Sequence, residues 1–121
     1  MSASNWAPDR KDIIWIDFNP QSGREMRNMH PMLVMSPKDF NLRTGIVIGL
    51  PMTTAEYNDS NPFAIKFHGN CGSISYILTH QPKSFDWRHR NAKRHPWKKV
   101  PEEVFIASCE VLNQIIQLIQ A

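Results

Sequence analysis

Along most of the chain, apolar and polar residues alternate in short runs broken by Gly, Pro and Asn. Only the last segment repeats at helical spacing. Residues 13–18 set Ile14, Ile16 and Phe18 on one face against Ile13, Trp15 and Asp17 on the other, which predicts a half-buried strand. Residues 32–35 form a short apolar run, as a strand covered on both sides does. Residues 46–52 return as another buried strand around Gly49 and Pro51, and residues 63–67 alternate again. After a tight connection at 68–72, residues 73–78 give the next strand. Residues 93–100 predict a short basic edge strand, because Pro96 has no amide to donate to a central ladder.

Two segments read as helices. In Ser36-Pro37-Lys38-Asp39, Ser36 can accept from the orphan amides and Pro37 fits the first helical position; Thr44-Gly45 ends that helix after a turn or two. Pro101-Glu102-Glu103 places proline and two acids where a helix dipole favours negative charge. Val104, Ala107, Ser108, Val111, Leu112, Ile115, Leu118 and Ile119 then recur on one face, and Phe105, Cys109 and Ile116 widen it enough to leave surface for a second subunit. The pattern predicts a mainly β domain with a C-terminal helix: five or six short strands closing into a small antiparallel barrel. It is a single domain over 1–121, with 1–10 as a flexible arm. Residues 19–29 separate the first two strands with three charges and no apolar residue except Met26 and Met29. Connections of that length tend to be functional.

Composition narrows the setting. At 121 residues, 41% hydrophobic and 21% charged, the chain suits one globular domain without stapling. Cys71 and Cys109 lie far apart, and His68 with Cys71 has no second pair of metal-ligand type beside it, so no metal or cofactor is expected and a reducing cytoplasm is. No signal peptide and no membrane-crossing run is visible. The net charge of +3 is modest, but seven of the fourteen basic residues fall between Lys83 and Lys99, with Asp86 as the only acid there. Trp87, His89, His95 and Trp97 interleave with them. Ring faces beside cations suit stacked bases and phosphates, so RNA or another polyanion is the expected partner, although an acidic protein would fit the same patch.

Several motifs occur together: Asp12-Ile-Ile-Trp-Ile-Asp-Phe-Asn-Pro, Ser22-Gly-Arg-Glu25, Pro31-Met-Leu-Val-Met-Ser-Pro, Phe40-Asn41-Leu-Arg-Thr44-Gly45 and Pro51-Met-Thr53-Thr54. They continue through Asn61-Pro-Phe63, Gln81-Pro-Lys-Ser84, Asp86-Trp87-Arg88, Asn91-Ala-Lys and Val100-Pro-Glu-Glu-Val104. In this order and spacing, from about residue 11 to 118, the chain resembles the MazF/PemK (Kid-like) toxins of bacterial toxin–antitoxin pairs. The resemblance implies the plasmid-maintenance SH3-like barrel, a homodimer, and metal-independent, sequence-selective cleavage of single-stranded RNA such as mRNA. It also implies an antitoxin partner, with DNA met only through the antitoxin complex. Some members of this fold instead poison DNA gyrase, and a catalytically weak member that only binds RNA or antitoxin is a further alternative.

Cleaving RNA without a metal uses the neighbouring 2′-hydroxyl as nucleophile. The protein supplies a base, an acid and stabilisation of the crowded phosphorus. Family likeness assigns this work to an arginine before the loop-closing proline and to a Thr or Ser after a later proline. Thr53 matches the second; His30 stands at the first, and an imidazole lacks arginine's bidentate fork. Glu25 matches a family acid, and Arg24 and Arg27 are nearby cations. The expected catalytic set is His30, Thr53 and Glu25. The expected RNA contacts are Arg24, Arg27, Asn41, Thr54, His80, Gln81, Lys83 and Arg88. Each has a plainer role to set beside it: His30 satisfied by backbone, Glu25 a solvated loop charge, Thr53 a strand end, and Gln81 a buried hydrogen-bonding residue that ties the barrel together, the reading favoured for it. Asp17 orients neighbours, and Trp15 and Phe18 are core or rim residues before they are stacking platforms.

Overall fold

The computed structural model describes residues 6–18, 29–69 and 72–117. Its strands are β1 (Asp12–Asp17), β2 (Met29–Val34), β3 (Ile46–Thr53), β4 (Ala64–His68), β5 (Ile74–Leu78), β6 (Lys83–Asp86) and β7 (Lys93–Lys99). Helix α1 (Lys38–Thr44) lies between β2 and β3, a 3-10 turn (Glu56–Ser60) between β3 and β4, and α2 (Glu102–Ile116) follows β7. The strands form one antiparallel sheet in the order β4-β5-β3-β2-β1-β7. β7 is the edge strand that Pro96 predicts. β6, absent from the pattern analysis, pairs with β3 off that path.

β3 carries the architecture. Along one edge it meets β2 through Met32↔Pro51, Leu33↔Leu50 and Val34↔Gly49. Its other edge is shared: Ile46 to Gly49 pair with β6, and Met52 and Thr53 pair with β5. Two strands on one edge must diverge where they part, and the sheet curls there into a half-barrel. At Gly49 a Cβ would lie 2.5 Å from the Leu33 carbonyl oxygen and 2.8 Å from Met32 Sδ, so a side chain there would push β2 away.

Period-two alternation buries both faces of the central strands. Ile14 and Ile16 join Met32, Val34, Val47 and Trp87 on one face, while Ile13 joins Leu33, Leu50, Met52 and Ile77 on the other. β1 is therefore covered on both sides rather than half-buried, with Ile13 1% and Ile14 0% exposed. α2 lays Val104, Phe105 and Leu112 against the second face. Ala107, Cys109 and Val111 are half-buried, Ile106, Ile115 and Ile116 are exposed, and Leu118 and Ile119 lie outside the described residues.

The start of the chain is not a free arm over its described part. Ala7 and Pro8 are buried, and Trp6 packs edge-on against Trp87 with ring centroids 5.9 Å apart. Asp9 supplies the cap of α1, its Oδ1 accepting from the Lys38 amide at 3.0 Å. Ser36 does not cap the helix, and Pro37 occupies the N-cap itself. The Ser36 hydroxyl instead accepts from the Ile48 amide and donates to Asn41 Oδ1 at 2.6 Å. Asn41 Nδ2 donates to the Pro8 and Ser36 carbonyls, and the Asn41 carbonyl accepts from the Trp87 indole at 2.8 Å. Asn41 is 0% exposed and joins four segments, so the expectation of an RNA contact there is wrong. The residue is a buried polar knot. Gly45, at φ 74, ends α1 in the left-handed conformation that the Thr44-Gly45 signal predicts.

β7 departs from regular pairing. The Ile14↔Arg94 pair would set residue 96 opposite Asp12, but Lys99 stands there, so three extra residues are looped into β7. Lys98 takes a left-handed φ of 65 within this bulge. The bulge turns His95 inward onto Trp15, stacked at 4.6 Å, and Trp97 onto Phe67 and over Gly69. The Trp97 amide donates to His95 Nδ1 at 3.1 Å, which the neutral ring accepts. Burial holds the His95 pKa below the ordinary 6.5.

Two outcomes follow from these cores. Asn41→Ala leaves the buried Ser36 hydroxyl and the Pro8 carbonyl without their partner, and urea denaturation should show a loss of about 2–4 kcal/mol. For His95 the folded pKa is depressed, so its stabilising contribution is complete above 6.5 and is lost as pH falls below that value toward the folded pKa. Denaturation midpoints measured from pH 7.5 to 5 should fall more steeply for wild type than for His95→Phe; identical slopes would contradict this assignment.

Candidate active site and nucleic-acid interface

His30 lies on β2 opposite Ile16, half-buried beneath the end of β1. The Phe18 ring meets it edge-on at 5.3 Å, and Phe85 of β6 meets Phe18 at 5.0 Å. The Arg90 guanidinium covers Phe85 at 4.3 Å and donates to the Asp17 carbonyl at 3.1 Å, while the Asp17 amide donates back to the Arg90 carbonyl. A cation, two phenyl rings and an imidazole thus form one connected surface at the end of β1 and β2. From sequence, Phe18 is a rim residue and Arg90 one of the cations of the basic stretch, whereas Phe85 was missed. Its signal was the alternation of Lys83, Phe85 and Trp87, hidden because β6 is only four residues long.

Thr53 closes β3. The paired residues of β2 and β3 keep a constant sum, Met32 with Pro51 and Leu33 with Leu50, and the same register continued two steps sets His30 level with Thr53. Alternation assigns His30 to the face of Met32 and Val34, and Thr53 to the face of Val47, which belong to one apolar cluster. Both therefore stand on the face that carries Phe18 and Phe85. The Thr53 hydroxyl accepts from the Ala55 amide at 3.2 Å, and that strand-end bond leaves its own proton able to donate. Thr54 follows, exposed.

Across from Thr53 the row continues to Tyr76 on β5 and Lys66 on β4. Lys66 and the Tyr76 hydroxyl both contact Asp59 of the 3-10 turn. Hydrogen bonding from Lys66, then from Tyr76, holds the Asp59 carboxyl below its ordinary range; the same bond raises Lys66. Neither Asp59 nor Lys66 was singled out from sequence, where Asp59 falls in a turn-rich stretch and Lys66 on the polar side of the 63–67 alternation.

Other expected contacts fall elsewhere. Lys83 is exposed opposite Gly49, on the face of Phe85 and partway along β3 from Thr53. Arg88 lies past the far end of β3, beyond the Ile46↔Asp86 pair, and so at least about 23 Å along the strand from Thr53. Its guanidinium covers the Trp87 ring at 4.5 Å. His80 and Gln81 are both exposed and 3.3 Å apart, and His80 tilts against Phe63 at 5.8 Å; Gln81 is not the buried tie expected of it. Arg24, Glu25 and Arg27 lie outside the described residues, as does the 19–28 part of the connection that carries them.

Of the four interleaved rings only His89 is exposed, where it lies 3.1 Å from the Asp86 carboxylate; the other three are not free platforms. Trp87 is 6% and His95 8% exposed, and Trp97 packs into the second core. The spacing that suggested base stacking is instead the inward half of β7 and of the turn before it. The cations remain outside: Lys83, Arg88, Lys93, Arg94 and Lys98 are exposed, while Lys99 pairs with Asp12 at 2.6 Å. Among the described residues no three His, Cys, Asp or Glu side chains converge as metal ligands, and no helix is long and apolar enough to cross a membrane.

Comparison with known proteins agrees with this layout. Residues 9–116 match the model of the PemK-like, MazF-like toxins of type II toxin–antitoxin systems. The chain is 32% identical over 108 residues to the endoribonuclease toxin MazF of Escherichia coli K12, covering 89% of this chain and 94% of that protein. It is 26% identical over 98 residues to endoribonuclease PemK of Escherichia coli, covering 79% of this chain and 72% of that protein. The fold superposes on MazF in a MazE–MazF crystal structure from Deinococcus radiodurans with a TM-score of 0.82 at 27% identity, spanning 95% of this chain and all of that one. With a family match over nearly its whole length and a curled antiparallel sheet closed by a C-terminal helix, the chain belongs to the PemK-like, MazF-like toxin family of type II toxin–antitoxin systems.

Proposed function

We propose that the chain is an endoribonuclease toxin that cleaves single-stranded RNA, mRNA included, by internal attack of a 2′-hydroxyl, inhibiting translation and growth in the cytoplasm. The observation that carries the site is the β2–β3 register, which sets His30 level with Thr53 on the face holding Phe18 and Phe85. In this reading Glu25 takes the proton of the attacking hydroxyl. Thr53 donates to a non-bridging phosphate oxygen. The His30 imidazolium lends positive charge to the phosphorane and passes its proton to the departing 5′-oxygen. The products are a 2′,3′-cyclic phosphate and a free 5′-hydroxyl, so atoms balance without water or metal.

Phe18 and Phe85 supply apolar faces beside His30, and Arg90, held over Phe85, adds a cation at the same rim. Arg24, Arg27, Thr54, His80, Gln81, Lys83 and Arg88 complete the proposed path for the strand, with Lys83 on the face of the site and Arg88 reached only by a longer stretch of RNA. The partner is an antitoxin of the kind found with MazF in the Deinococcus radiodurans MazE–MazF complex. The open apolar residues of α2, Ile106, Ile115 and Ile116, support a homodimer.

A second reading has one observation in its favour. Histidine stands where the family resemblance places an arginine, and it cannot grip a phosphate with two parallel bonds. On that reading the chain binds RNA or antitoxin without efficient cleavage.

The deciding assay is cleavage of single-stranded RNA by purified protein in EDTA. Wild type should release 2′,3′-cyclic phosphate ends, and His30→Ala and Thr53→Ala should each lose on the order of 10²–10⁴-fold in rate. Full activity of His30→Ala would remove its assigned role, a requirement for added metal would remove the mechanism, and tight binding without cleavage would establish the second reading.

A further inference from the structure

Beyond Thr53, the row of neighbouring strands leads into a pocket that the cleavage chemistry leaves unused. Tyr76 stands opposite Thr53, Lys66 opposite Tyr76, and the 3-10 turn is tied to both through Asp59. A cavity of about 810 Å³ opens there, lined by Thr54, Glu56, Asp59, Lys66, Ile74 and Tyr76. That volume is of the size that holds a small organic ligand or a nucleotide. The connection that walls it is ordered from within. Asn58 is 3% exposed, its Nδ2 donates to the Ala55 carbonyl at 3.1 Å, and its Oδ1 accepts from Asn61 Nδ2. Little ordering remains to be done when a ligand enters.

Charge decides which part of a nucleotide fits. Asp59 and Lys66 neutralise each other at 3.0 Å, and the Tyr76 hydroxyl is committed to the same carboxylate. Glu56 has no hydrogen bond or ion pair among the described residues, so it is the uncompensated group of the lining. One net negative charge repels a phosphate. It accepts hydrogen bonds, and nucleobases offer donors through the amino groups of cytosine, adenine and guanine. Uracil has no amino group; its one donor on the pairing edge, N3–H, is flanked by two carbonyl oxygens that a carboxylate repels. Exposed Ile74 adds an apolar wall for the base plane.

We propose that this pocket seats a base flanking the scissile phosphate, and that Glu56 selects amino-bearing bases over uracil at that position. The inference rests on the endoribonuclease reading and extends it from the reaction to the choice of sequence. Thr54, next in the chain to Thr53, joins the pocket to the proposed site of cleavage.

The test uses an RNA library with random positions, cut in EDTA by wild type, Glu56→Gln and Glu56→Lys, with the new ends sequenced. Wild type should disfavour uracil at one fixed position beside the cut by on the order of tenfold. Glu56→Gln, which can donate as well as accept, should bring that ratio toward parity, and Glu56→Lys should turn it toward uracil. Fluorescence anisotropy with uncleavable 2′-deoxy-substituted oligonucleotides that differ only at that position reads the same preference without cleavage. Base frequencies and relative affinities that are the same for all three proteins would overturn the proposal, as would a general loss of activity with the preference intact. No cleavage by wild type together with a Glu56-dependent anisotropy preference would overturn the nuclease reading and leave the pocket standing. Glu56 is exposed, so both variants should keep the wild-type far-ultraviolet circular dichroism spectrum.

Discussion

Everything in this fold turns on β3 being paired along both edges, with one of those edges divided between two strands. β6 takes its first half and β5 its second, so the sheet has to bend where the two part. Gly49 sits near that division and brings β2 close enough for Met32 to occupy the space a side chain would need. The bend delivers Thr53 to a strand end that the β2 register also reaches at His30. The proposed chemistry thus occupies the place where the ladder runs out and backbone ceases to be committed to its neighbours.

The layering explains why the site is at that end. Over most of their length β1, β2 and β3 are apolar on both faces, covered on one by the N-terminal segment and Trp87 and on the other by α2 and β5. Polar groups can work only where the cover stops. At the His30 end, Phe18 and Phe85 are the last apolar residues of the first cluster, and Arg90 bridges them to the Asp17 carbonyl. At the α1 end, polar residues are instead sealed inside: Ser36 and Asn41 bind one another, the Pro8 carbonyl and the Trp87 indole. One edge of the fold is built for reach and the other for cohesion.

Much of this was legible from residue order. The strands β1 to β5, the Gly45 helix stop, the edge position of β7 and the acidic start of α2 all follow from local pattern, because each depends on residues adjacent in the chain. What escaped was set by partners far away. Asn41 has the look of a surface asparagine until Pro8 and Ser36 arrive from other segments to use its amide. His95 and Trp97 read as part of a basic face, since no local signal shows that three residues have been looped into β7 to turn those rings inward. Gln81 was expected inside and lies outside. Lys66 and Asp59 carried no motif at all, although strand pairing sets them in line with Thr53. The chemistry of the site was thus easier to read than its walls.

The inward turn of β7 also equips the molecule with an optical reporter. Trp15 lies face to face with the His95 imidazole at 4.6 Å. An indole excited beside an imidazolium is quenched by electron transfer far more than one beside a neutral ring. Trp97 lies 5.0 Å from the same imidazole, so emission from this pair of indoles should register the proton on His95 and, through the bulge that positions it, whether the edge of the sheet is seated.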